Sequence, residues 1–156
     1  MEDLIEKMDY YLSEFNVISK SPMNLVMFKF AIEHVSRVSR ILMQPSGNVL
    51  LVGIGGSGRH SSAKLAGFMA ESNLFEIELT RNYSISDWRD DLKKLFTRAG
   101  CEGKPIIFLF ADTQIADEMF IEDINTVLNT ADVPNLFAPD DKNFSMTSLK
   151  EIHPSL

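Results

Sequence analysis

The stretch LLVGIGGSGRHSSAKLA, residues 50–66, sets Gly53, Gly55, Gly56 and Gly58 between an apolar run and a helical pattern. The run VLLV, residues 49–52, is short and wholly apolar, as in a strand buried on both faces. Downstream, Ser62, Leu65, Ala66 and Met69 recur at helical spacing. Strand, glycine loop and helix N-terminus together gather main-chain N–H groups onto an anion, because glycine permits close backbone approach and the helix dipole favours negative charge. A turn that serves only close strand–helix packing would also use glycine, but it would not need this context on both sides.

Two phosphate-binding templates fit these letters. Gly53, Gly55 and Gly58 satisfy G-x-G-x-x-G, and Glu76 or Glu78 in the next apolar segment stands where a dinucleotide site places its ribose-binding acid. Gly53, Gly58 and Arg59 also approach G-x-x-x-x-G-K-[ST], the triphosphate loop. Here Arg59 replaces the lysine, and His60 replaces the hydroxyl that would reach magnesium. A triphosphate hydrolase further needs an acid at the end of an apolar strand, and IIFLFAD presents Asp112 near that place.

The rest of the chain supplies the scaffold. Residues 2–15 set Leu4, Ile5, Met8, Leu12 and Phe15 at helical spacing. Ser21 and Pro22 then signal a second helix, carried by Leu25, Phe28, Ile32, Val35 and Leu42 until QPSGN breaks it. LFEIEL, residues 74–79, alternates as a strand with one polar face. Ser84 and Asp87 form a capping box ahead of a helix with Trp88, Leu92, Leu95 and Phe96 inward, ending at Gly100. PIIFLF, residues 105–110, is a third strand, and residues 117–130 form a helix with Phe120, Ile124, Val127 and Leu128 inward. Alternating strands and helices predict a three-layer α/β fold with a parallel sheet, preceded by two helices.

Composition excludes several classes. A chain of 156 residues that is 45% hydrophobic can enclose one domain's core. Its formal charge of −7, without a basic cluster, argues against nucleic acid and anionic membrane as partners. A single cysteine, Cys101, forms no internal disulfide and reads as an incidental thiol. The acidic, amphipathic start MEDLIEKMDYYL is no secretory signal, and no run is long enough to span a membrane, so an intracellular setting is expected. His34 lacks a second ligand one turn away and reads as structural, whereas His153 in the tail has no partner in sequence reach and reads as disordered surface. Arg37 and Arg40 favour their helix's C-terminal dipole.

Three separated blocks carry a resemblance. LLVGIGGSGRHSSAKLAGF, IFLFADTQIADEMFIEDINTVLNTADVPNLF and MNLVMFKFAIEHVSRVSRIL together resemble the fourth AAA module of axonemal dynein heavy chains, over about residues 9–142. The resemblance implies an AAA-type P-loop NTPase fold, residues 46–142, led by helices in 1–45 and trailed by a divergent, disordered tail, 143–156. It implies ATP or ADP as ligand, cradled by Gly53, Gly55, Gly56, Ser57 and Gly58, with Arg59, His60 and Ser61 at the phosphates. It implies a setting in cytoplasm, cytoskeleton and ciliary axoneme, as part of a microtubule motor that would meet microtubules only indirectly. The remainder of a heavy chain, or other dynein subunits, would be the partners.

The carry-over is uneven. Arg59 keeps the charge of the family's lysine but not its compact shape. His60 takes the hydroxyl position, and Ser61, one helical step or about 100 degrees further round, is ill placed to hold a metal. Ala111 falls on the metal-associated aspartate position and Asp112 on that of the water-activating glutamate, which leaves Asp112 the only candidate for catalytic or metal-side work. Weak nucleotide binding without hydrolysis, and doubtful Mg²⁺ binding, are therefore expected, because metal neutralisation of the leaving phosphate carries much of this catalysis. The tail NFSMTSLKEIHPSL offers no further buried strand, so VLLV and IIFLF would expose apolar edges. A non-catalytic reading is that the helices of residues 2–43 dock onto a dynein ring or its assembly factors.

Overall fold

The computed structural model describes residues 2–100, 103 and 105–138. In chain order these form α1 (Glu2–Ile18), α2 (Lys29–Leu42), α3 (Arg59–Met69), β1 (Asn73–Glu76), α4 (Ile85–Gly100), β2 (Ile106–Leu109), a 3-10 turn (Asp112–Gln114) and α5 (Glu118–Thr130). The chain divides into two compact units, residues 1–74 and 75–156. The expectations for Cys101, His153 and the tail at 143–156 lie outside the described residues.

The first unit is helical. Met8 and Leu12 of α1, Ile32, Val35 and Val38 of α2, and Leu65 and Ala66 of α3 meet in one buried cluster with Met27. Phe15 and Phe68 close one side of it edge to face, 5.6 Å between centroids. Complete burial of Ile32 and Leu65 contributes about 2–3 kcal/mol each before chain entropy is counted.

Two sequence expectations fail in this unit. The second helix begins at Lys29, not near Pro22. Residues 23–28 form no regular element, with Met27 buried and Val26 and Phe28 exposed, and Asn16 captures the backbone of Met23 at their start. Its Nδ2 donates to Met23 O at 2.8 Å and its Oδ1 accepts from Met23 N–H at 2.7 Å, a side-chain copy of a strand pair. The VLLV segment, in turn, is no strand: Val49 and Leu51 pack on the cluster, but Leu50 and Val52 are 88% and 84% exposed. A strand is defined by its hydrogen-bonded neighbour, and among the described residues only β1 and β2 pair.

The predicted parallel sheet is therefore realised as two strands, and three layers are not formed by the described residues. Within the second unit, Trp88 is the centre of the core, stacked on Phe120 at 4.4 Å and inclined to Phe110 at 5.4 Å. Ile77, Leu92, Val133 and Leu136 complete the buried cluster, with Leu95, Phe96, Ile124 and Val127 at its margin. Leu128, expected inward, is instead exposed. Both helix starts match expectation. Ser84 N–H donates to Asp87 Oδ2 at 2.9 Å at the head of α4, and Asp117 caps α5 through Met119 N–H at 2.9 Å.

Candidate functional site

The glycine loop hangs from the first unit between residue 52 and α3. Gly58 is the N-cap of α3 at φ 77°, ψ 8°, and Gly56 lies at φ 76°. Both are left-handed conformations that cost an L-residue roughly 1–2 kcal/mol, so the turn requires glycine there. A Cβ built on Gly55, Gly56 or Gly58 would meet nothing within 4 Å, so the main chain is bare on that side.

Gly53 has a different reason to be glycine. A Cβ there would stand 3.3 Å from Ser57 Oγ and 3.4 Å from Arg59 Cδ, so its missing side chain leaves room for the arginine stem. The Arg59 guanidinium turns back along the loop and donates to Leu51 O at 3.5 Å and Ile54 O at 3.3 Å. Both contacts are long and correspondingly weak.

The loop's amides remain available. Ser57 N–H donates to Ile54 O at 3.3 Å, and Ser62 N–H to Gly58 O at 2.8 Å, which starts the helical ladder. Among the described residues, no backbone carbonyl accepts from the N–H groups of Gly55, Gly56, Gly58 or Arg59. Stray donors at a helix start are the raw material of an anion cradle. His60 and Ser61 follow Arg59 in the first turn of α3, His60 exposed and Ser61 half-buried.

Asp112 belongs to the second unit, so the loop and this carboxylate are each described in their own unit. β2 stops at Leu109, and Asp112 opens the exposed 3-10 turn, where its Oδ1 accepts from Thr113 N–H at 3.0 Å. Gln114, which periodicity gave no reason to single out, holds this turn in place. Its Oε1 accepts from Ala111 N–H at 2.7 Å and its Nε2 donates to Ile77 O at 2.6 Å. Among the described residues no group of three or more His, Cys, Asp or Glu is arranged to hold a metal ion. Nor is any described helix long and apolar enough to cross a membrane.

A glycine loop that opens a helix, with amides that meet no backbone carbonyl among the described residues, fits the P-loop class, and comparison with known proteins makes this specific. Residues 23–155 match the family model described as the P-loop containing dynein motor region D4, and the chain belongs to that family. It is 58% identical over 142 residues to human dynein axonemal heavy chain 3 and 46% identical over 147 residues to human dynein axonemal heavy chain 1. It is also 47% identical over 151 residues to the Chlamydomonas reinhardtii dynein-1-beta heavy chain of the flagellar inner arm I1 complex. These alignments cover 91%, 94% and 96% of this chain, but only 3% of each relative. The dinucleotide template gains no support: the matched region is a P-loop region, and of its two candidate acids Glu76 has a buried Oε1 while Glu78 is exposed.

Proposed function

We propose that this chain forms the nucleotide-cradling part of a dynein heavy-chain motor module and binds ATP or ADP weakly, in a structural or regulatory role. One observation carries the reading: Gly56 and Gly58 hold left-handed conformations in a loop whose Gly55, Gly56, Gly58 and Arg59 N–H groups meet no backbone carbonyl among the described residues. Phosphate oxygens are the acceptors such a cup suits. Nucleotide would draw Arg59 off its two long contacts to Leu51 O and Ile54 O and onto phosphate. A displaced charge-assisted contact is worth about 1.5–3 kcal/mol, which sets binding roughly ten- to a hundredfold weaker than a lysine loop would give.

Hydrolysis is lost in this reading. His60 and Ala111 supply no oxygen for a divalent ion, Ser61 sits a helical step away, and Asp112 already accepts from its neighbour's amide. The working limits are residues 1–45 for the leading helices and 46–142 for the P-loop part, and because the family match runs on to residue 155 the segment 143–156 is taken as a continuation of the same region. The three-layer order would arise only where further strands complete the sheet. Since the relatives are axonemal heavy chains, the ciliary axoneme is the proposed location and the remainder of a heavy chain the proposed partner.

Calorimetric titration with ATP, ADP and NAD, each with and without magnesium, tests this. Weak saturable binding of ATP and ADP that magnesium barely strengthens is expected, with no phosphate released on incubation. Tight NAD binding, or magnesium-dependent turnover, would contradict it.

A further inference from the structure

The first unit carries a concavity that no glycine-loop residue lines. α1, α2 and the end of α3 leave between them a groove of about 270 Å³ floored by Met8, Met69, Leu4 and Tyr11, with Met43 at its end. Met43 is 61% exposed. Three methionines in one groove make a deformable apolar surface that can fit varied side chains, a property shared by helix-binding grooves.

Polar groups give the groove a sign. Lys7 and Arg40 stand exposed at its edge, and no carboxylate lines it, although the whole chain carries a formal charge of −7. Neither cation forms an ion pair among the described residues, where Lys93 pairs with Asp90 and Lys94 with Asp91. Ser36 Oγ, on the same lining, is buried with no hydrogen-bond partner among the described residues. A buried hydroxyl of that kind is normally satisfied, so the occupant is expected to bring a polar atom to it.

We propose that this groove docks an acidic amphipathic helix of a partner protein: apolar residues at i, i+3, i+4 and i+7 enter between the methionines, and flanking carboxylates meet Lys7 and Arg40. The inference deepens the docking reading of the leading helices and stands apart from the nucleotide proposal, since no loop residue lines the groove.

The probe is a fluorescein-labelled helical peptide with leucines at those positions and glutamates on both flanks, titrated into the full 156-residue chain and read by anisotropy. Saturable binding is expected, with a lysine-flanked version of the peptide at least about tenfold weaker, the effect of turning two rim contacts from attraction to repulsion. The double variant Lys7→Glu, Arg40→Glu, its fold checked by circular dichroism, should reverse that preference and bind the lysine-flanked peptide better. Met43→Lys should abolish binding of both. Failure of both peptides to bind, equal binding of both, or loss of preference without reversal would overturn the proposal. So would sedimentation showing self-association that Met43→Lys abolishes, because a second copy would then fill the groove.

Discussion

Trp88 Nε1 donates to Asp123 Oδ2 at 2.8 Å inside the core of the second unit, joining α4 to α5 across 35 residues of sequence. Asp123 is a carboxylate buried to 5% exposure, so this bond satisfies the indole donor and gives the acid one of its few partners. Asp123→Ala should cost about 1–3 kcal/mol, because it leaves a buried N–H with no acceptor. Asp123→Asn retains an acceptor and should cost less. Urea unfolding of the two variants followed by Trp88 fluorescence checks the order.

Gly47 closes α2 against its own backbone. A Cβ there would sit 1.9 Å from Ile41 O and 3.1 Å from Gln44 O, and neither carbonyl can rotate away as a side chain would. Gly47→Ala should therefore destabilise the first unit by roughly 1–3 kcal/mol, as overpacking does. Gly55→Ala, where the added methyl meets open space, is the matched control and should be close to neutral in thermal unfolding.

Gly58→Ala separates stability from binding. Its methyl would clash with nothing, so the cost is the left-handed backbone alone, about 1–2 kcal/mol. Relaxing that strain rotates the first amides of α3, so nucleotide affinity should fall well beyond what the small shift in melting temperature would suggest. Calorimetry and a melt on the same sample measure both.

Acid should loosen the head of α4. The Asp87 carboxyl is held below its ordinary range, first by the Ser84 hydroxyl at 2.7 Å and then by the Ser84 amide. A depressed folded-state pKa means stabilisation that is complete above the unfolded carboxylate range and disappears as pH falls through the folded value. Asp87→Asn should accordingly flatten the acid limb of the stability–pH curve by lowering its neutral plateau, while changing little once pH falls below the folded carboxyl's range. In the opposite direction, burial and then the Asp91 contact push the Tyr83 hydroxyl well above its ordinary value, so Tyr83 stabilises at neutral pH and that share is lost only in strong alkali. Circular dichroism melts across pH read both.

What sequence conveyed here was local chemistry. The Ser84–Asp87 box, the Asp117 cap, the inward face of α4 and the glycines of the loop each depend on residues within a turn of one another. What escaped depends on distant partners. No periodicity shows that Asn16 will take Met23's backbone and that α2 will begin only at Lys29. VLLV has strand composition, yet strand character comes from a neighbour that the described residues do not supply. Asp123 and Gln114 were missed for the same reason: one is a polar residue on an apolar helix face and the other a loop amide, and their partners Trp88 and Ile77 lie 35 and 37 residues away.

The most direct measurement is a ¹⁵N amide spectrum of the chain titrated with ADP in the absence of magnesium. The Gly55, Gly56 and Gly58 amides should shift together and saturate, while signals from the Trp88 core stay still. Those three amides remaining unmoved at millimolar ADP would mean the loop's bare main chain is a turn and nothing more.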